Sequence, residues 1–114
     1  MVKLTVLYNL PPDAAHEAFI KWRTESHQQK LVKLPGLIEA TFYVIQDSRE
    51  GTAPYRYMSE LLFPDQETFE KAFYDPAFQA GLKEDLKRIV NPLFLVSREL
   101  LRQTRVGSKV HPNK

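Results

Sequence analysis

The sequence contains no cysteine, which excludes disulfide bonds, thiolate metal sites and cysteine nucleophiles. No apolar run approaches the roughly 20 residues of a membrane-spanning helix. The first residues alternate in polarity and lack the long apolar core of a signal peptide. The net charge is only +2, and the basic residues do not cluster into one long run. We therefore expect a cytoplasmic protein with neither a nucleic acid nor a membrane as its partner.

The motifs of several common chemistries are missing as well. The three histidines are His16, His27 and His111, and their positions match no metal-binding spacing. The sequence has no nucleophile elbow, no P-loop and no dinucleotide-binding glycine motif. Gly36 and Gly51 are isolated glycines of the kind found in turns. No metal and no cofactor are expected.

The order of apolar patterns and breakers predicts one small α+β domain. Alternating or β-rich segments predict strands over 2–9, 37–46, 55–63 and 93–101. Helical spacing predicts a helix over 13–34, capped by Asp13, and a second helical region over 65–90, capped by Asp65 and restarted at Asp75-Pro76. The order βαββαβ is typical of a ferredoxin-like fold, a four-stranded antiparallel sheet with both helices on one face. The domain is predicted over 1–104 and a polar tail over 105–114.

The two faces of the predicted sheet differ in polarity. One face is largely apolar and is assigned to the helices. The other mixes apolar and polar side chains, among them Thr5, Leu7, Thr41, Tyr43, Ile45 and Leu62. A second sheet packed on this mixed face in a symmetric homodimer explains the mixture. The alternative is a monomer with a partly wetted face.

Four segments together resemble the EthD-like family of the dimeric α+β barrel superfamily. They are the helix segment that runs from Phe19 through Trp22 to His27, the turn Leu34-Pro35-Gly36-Leu37, the strand and helix over 57–63 and 65–73, and the pattern of Ala80, Asp85 and Pro92. The resemblance implies that the domain forms a dimeric α+β barrel. It also implies relatives that include cofactor-independent monooxygenases, isomerases and haem proteins. Many members carry a tyrosine where this chain has Ala40, which argues against isomerase chemistry and leaves room for a bulkier ligand.

His27 is the predicted catalytic residue, because an imidazole can act as an acid or a base near neutral pH and the family has a histidine at this place. Aromatic walls suit a planar apolar ligand. The residues predicted to bind the substrate are Trp22, Tyr8, Ala40, Phe42, Tyr57, Phe78 and Asp85.

The sequence is compatible with three functions. The first is a small-molecule enzyme or enzyme accessory that acts on an apolar, aromatic or oxygenated compound, by cofactor-independent oxygenation or by a proton-shuttling rearrangement. The second is a non-catalytic dimeric carrier of such a ligand. The third is a haem-binding barrel with His27 as the axial ligand.

Overall fold

The structure is a computed structural model that describes residues 1–105, so the predicted tail, apart from Arg105, lies outside the described residues. The chain begins with strand β1 and a long first helix. This helix consists of α1, a π-helical segment and α2. A hairpin of β2 and β3, two further helices, a 3₁₀ turn and β4 follow. In chain order the elements are β1 (Val2–Asn9), α1 (His16–Lys21), the π segment (Trp22–His27), α2 (Gln28–Leu31), β2 (Glu39–Val44), β3 (Tyr57–Phe63), α3 (Gln66–Phe73), α4 (Pro76–Asp85), the 3₁₀ turn (Leu86–Arg88) and β4 (Val90–Arg98).

The four strands form one antiparallel sheet in the order β2-β3-β1-β4. The two central strands, β1 and β3, are therefore separated in sequence by the first helix and β2. This topology confirms the predicted ferredoxin-like arrangement. No helix within residues 1–105 is long and apolar enough to cross a membrane.

The registers confirm the two predicted faces. Leu4 pairs with Leu61, which in turn pairs with Ala40, and these side chains belong to the core under the helices. Lys3 and Leu62 pair on the opposite face, which we call the open sheet face. Because no helix covers it, Tyr43, Leu93 and Leu95 stay 45%, 39% and 45% exposed.

Two aspartates begin the C-terminal helices, as predicted. Asp65 accepts a hydrogen bond from the backbone N–H of Thr68 at 2.8 Å, and Asp75 accepts from Ala77 and Phe78 at 3.1 Å. Each carboxylate satisfies an N–H group that a helix start leaves without a partner. The first helix differs, since it begins at His16 and makes no side-chain cap bond, so the cap predicted at Asp13 is wrong.

The start of β4 is also earlier than predicted. Asn91-Pro92 lies inside this strand and does not end a helix. Asn91 has a φ of 54°, and the pairing with β1 shifts register between Leu7 and Asn9. Asparagine tolerates this left-handed conformation better than most residues, so the pair forms a bulge at the strand end.

Gly36 in the turn before β2 gives a sharp stability prediction. Its φ is +79°, and an added Cβ would overlap Cγ2 of Thr68. Gly36→Ala should destabilise the protein by about 2–4 kcal/mol, since left-handed strain and a steric clash add together. Gly51→Ala is the matched control, because φ there is +99° but nothing lies within 4 Å.

Chemical denaturation of both variants measures the difference. Thr68→Ser removes the clashing methyl group, so it should recover part of the loss in the Gly36→Ala background. Equal destabilisation by the two glycine variants would show that the close approach to Thr68 does not contribute to the free energy of unfolding.

Candidate functional site

A cavity of about 380 Å³ lies between the sheet and the helices. Its walls are mainly apolar and come from β1, β3, β4, the first helix, α3 and α4. A few polar and charged groups converge on it, which is the usual composition of a small-molecule site. The walls include Leu4, Val6, Tyr8, Phe19, Trp22, Arg23, His27, Lys30, Ser59, Phe73, Asp75, Phe78, Gly81, Leu82, Asp85 and Phe94.

His27 and Asp85 meet in the wall of this cavity. Nδ1 of His27 lies 3.5 Å from Oδ2 of Asp85, within ion-pair distance but without the geometry of a hydrogen bond. Burial lowers the pKa of His27 below its ordinary value of 6.5; Asp85 opposes this shift, while Arg23, Lys30 and Arg88 add to it. The imidazole is therefore neutral at pH 7 and able to accept a proton.

Trp22 holds the imidazole in place by stacking. The two rings are 4.6 Å apart between centroids and inclined by 22°. The guanidinium of Arg88 lies 4.2 Å from the centroid of the same indole. The contact with Arg88 is a cation–π interaction, and together the two contacts restrain the indole at the cavity wall.

The π-helical segment makes the stacking of Trp22 on His27 possible. The N–H of Gln28 bonds the carbonyl of Arg23, five residues back, where an α-helix would use four. In a regular α-helix, residues five apart point about 140° away from each other. The wider turn allows both Trp22 to stack on His27 and Arg23 to bond Gln28, so the segment builds one side of the site. Single π turns of this kind often occur at functional sites.

Arg23 is buried to 2% exposure and has polar partners on two elements. Its Nη1 donates to Oε1 of Gln28 at 2.7 Å, and its Nη2 donates to Oγ of Ser59 at 3.4 Å. Its guanidinium lies 4.8 Å from the centroid of Phe42. Burial lowers the pKa of Arg23, and nearby Tyr8 opposes this. An arginine keeps its charge in proteins, so the site contains a buried cation.

The hydroxyl of Tyr8 completes the polar side of the cavity. It lies 2.9 Å from Oγ of Ser59, and either oxygen can donate. Burial raises the pKa of Tyr8, while Ser59 and Arg23 act in the opposite direction. Tyr8 is therefore a neutral phenol near pH 7, able to orient a polar group of a ligand.

The structure places the predicted site residues in two groups. His27, Trp22, Tyr8, Phe78 and Asp85 line the cavity. The other three lie beside it, in β2 and β3, and do not reach the cavity wall: Ala40, Phe42 and Tyr57.

These three residues support the site from behind. The carbonyl of Ala40 accepts a hydrogen bond from the side chain of Gln28 at 3.1 Å. Ala40 does not line the cavity, so the room for a ligand that we expected beside it lies elsewhere. Tyr57 is buried, with its ring centroid 5.7 Å from that of Tyr8 and 6.3 Å from that of Phe42. They fix the positions of Tyr8 and Arg23.

Sequence reasoning missed three polar residues of this region. Arg23 and Gln28 carry no motif, and only the five-residue spacing of a π turn brings them together. His16 lies in the first turn of the helix, where solvent exposure is usual, but it is half-buried and its Nδ1 is hydrogen-bonded to the hydroxyl of Tyr57. The partner of Tyr57 could have been sought from the sequence, since the hydroxyl of a buried tyrosine requires a hydrogen-bond partner.

The fold is that of a ferredoxin-like α+β domain with a cavity between its sheet and its helices. The family model of the EthD domain matches residues 11–92, so the chain belongs to the EthD family, and the resemblance seen in the sequence is confirmed. No curated protein matches the chain.

Solved structures agree with this assignment. An EthD family protein from Bacillus halodurans is 27% identical, with a TM-score of 0.74 over 88% of this chain and 99% of that chain. SnoaB, a cofactor-independent oxygenase from Streptomyces nogalater, is 13% identical, with a TM-score of 0.67 over 91% and 97%. A dimeric ferredoxin-like protein from Thermobifida fusca is 13% identical, with a TM-score of 0.63 over 84% and 88%. The last two share the fold alone.

Proposed function

We propose that this chain is a small-molecule enzyme that binds a planar apolar compound, aromatic or oxygenated, in the cavity and uses His27 as its acid and base. The observation that carries the proposal is a neutral imidazole beside a carboxylate in the wall of an apolar cavity. Titratable groups with shifted pKa values in clefts are typical of functional sites.

In this proposal His27 takes a proton from the bound compound. Because Nδ1 faces Asp85, Nε2 is the nitrogen left to accept the proton. The negative charge of Asp85 then stabilises the imidazolium that forms. Tyr8, held by Ser59, orients an oxygen of the compound through its hydroxyl. Proton removal begins both a rearrangement and a cofactor-independent oxygenation, in which dioxygen would be the oxidant.

We further propose that the chain works as a homodimer through the open sheet face. Apolar side chains of β2 and β4 stay exposed there, on the side that the helices leave bare. The Thermobifida fusca protein of the same fold is dimeric, which supports this assembly. A face-to-face pair of sheets would bury those apolar side chains.

Trp22 makes binding directly measurable, since it is the only tryptophan and lines the cavity. Titration with 2-naphthoate or its methyl ester should change the intrinsic fluorescence in a saturable way. Gly81→Leu should weaken binding about tenfold or more, because Gly81 lines the cavity and an added Cβ there meets nothing within 4 Å, which leaves the leucine free to take up ligand space.

Gly81→Ala is the matched control, because it adds only one methyl group to the same helix. It should bind the probes as the wild type does and melt slightly higher, since alanine favours a helix over glycine. Fluorescence that no probe changes, or that changes equally in the Gly81→Leu variant, would contradict binding in this cavity.

A further inference from the structure

The guanidinium of Arg23 is a buried charge without a countercharge. None of the ion pairs within residues 1–105 includes Arg23. Its hydrogen-bond acceptors, Gln28 and Ser59, are both neutral. The ring of Phe42 adds a cation–π contact, which compensates only part of the lost hydration.

The carboxylates that line the cavity are used elsewhere. Asp75 caps α4 through the N–H groups of Ala77 and Phe78, and Asp85 lies beside His27. Lys30 also lines the cavity, but its side chain is exposed, so water screens its charge. The buried guanidinium is thus the cationic group of the cavity that water stabilises least.

A charge taken out of water is unfavourable unless an opposite charge compensates it. Arginine carries five N–H donors, more than its contacts with Gln28, Ser59 and nearby Tyr8 require. The side chain lines the cavity, and attraction to an anion there is strong because the surroundings are poorly polarisable. The cavity is therefore prepared for a ligand that carries a negative charge.

We infer that Arg23 is the anion-recognition residue of the cavity and that the ligand is a planar ring compound bearing a carboxylate or an ionised hydroxyl. This inference rests on the proposed function and deepens it by naming the ligand class. A planar guanidinium matches the two oxygens of a carboxylate and the single oxygen of a phenolate or enolate. The same charge would stabilise the anion left when His27 removes a proton from a ring hydroxyl.

The first test compares an acid with its neutral ester on the wild-type protein. At pH 7, 2-naphthoate should quench Trp22 with a dissociation constant about tenfold or more below that of methyl 2-naphthoate. Equal or tighter binding of the ester would exclude a carboxylate as the recognised group and leave the proposed function intact. Binding of neither probe would overturn the proposed function, and the inference with it.

The second arm distinguishes an ionised hydroxyl from a carboxylate. The absorbance of 4-nitrophenol shows directly whether the bound molecule is a phenol or a phenolate. If the ligand is a phenolate or enolate, the bound probe should ionise at a lower pH than the free probe. If the bound probe ionises at a lower pH and 2-naphthoate is not preferred over its ester, the recognised group is an ionised hydroxyl. If 2-naphthoate is preferred and the ionisation pH is unchanged, the recognised group is a carboxylate. The absence of both effects would overturn the inference, while binding of either naphthoate probe would leave the proposed function intact.

Four variants test whether the effect belongs to Arg23. Arg23→Met should abolish the preference for the acid but keep binding of the ester, which also reports a folded cavity. Arg23→Lys should keep part of the preference, and it replaces Arg23→Met as the test variant if the methionine variant does not fold. Arg49→Met is the control, because Arg49 lies in an exposed loop, and it should behave as the wild type. A preference that survives in both Arg23 variants and disappears in Lys30→Met would overturn the assignment.

Discussion

Replacing His27 with glutamine should slow the ring opening of 5-nitrobenzisoxazole at least about 100-fold relative to the wild type. This planar compound opens when a base removes its one acidic C–H proton, as the N–O bond breaks to give a coloured phenolate. It therefore tests a base in an apolar cavity before the natural substrate is known. Glutamine keeps the size and polarity of the side chain but cannot accept the proton.

His16→Gln is the matched control for this experiment. His16 is also a half-buried histidine of the first helix, but it bonds Tyr57 and does not line the cavity. Its variant should react within a few-fold of the wild type, and both variants should still bind the naphthoate probes. A wild-type rate no higher than that of the His27→Gln variant, with probe binding intact, would favour a carrier over an enzyme.

The pH dependence provides a second readout of the same variant. The pKa of His27 is lowered from 6.5 in the folded protein, so the wild-type rate should rise with pH through a value below 6.5 and then level off. Below pH 6.5 the unfolded chain takes up the proton first, so the free energy of unfolding should fall as the pH drops. His27→Gln removes this contribution, and urea titrations at several pH values should show a smaller loss in the variant.

Light scattering at micromolar concentration should give a mass of twice 13.3 kDa. Leu95→Lys should convert the protein to a monomer, because it places a charge on the open sheet face, where Leu95 of the edge strand β4 pairs with Thr5. A stable interface of this kind buries about 1,200–2,000 Å² in total, and a buried unpaired lysine opposes its formation.

Val96→Lys is the control, since Val96 is the next residue of β4, lies on the helix side of the sheet and is 50% exposed. It should remain dimeric. A wild type with a mass of 13.3 kDa, or a Leu95→Lys variant that stays dimeric, would contradict the interface.

Much of the fold was predictable because its signals are local. Alternation in β1 and β3 fixed the two faces of the sheet, and the aspartate caps at Asp65 and Asp75 fixed the starts of α3 and α4. The turn at Gly36 was predictable for the same reason, since few residues accept its backbone conformation. At Asn91 the local signal misled, because Asn-Pro fits a strand bulge as well as the end of a helix.

The site was less predictable because it depends on a change of helical period. Helical spacing groups Ala15, Ala18 and Ser26 on one face of the first helix with Phe19 and Trp22, yet these three small residues are exposed. The buried positions after Phe19 are Arg23 and Leu31. An arginine at a helical position is normally read as solvent-exposed, so composition gave no reason to place it inside.

The π segment acts as a phase shift within a single helix. Twelve α-helical steps would leave Phe19 and Leu31 about 120° apart, whereas eleven leave them about 20° apart. With one residue absorbed by the wide turn, both side chains reach the core, each in its own cluster. The two ends of the helix are thereby anchored independently, and the turn between them places Trp22, Arg23 and His27 together in the cavity wall.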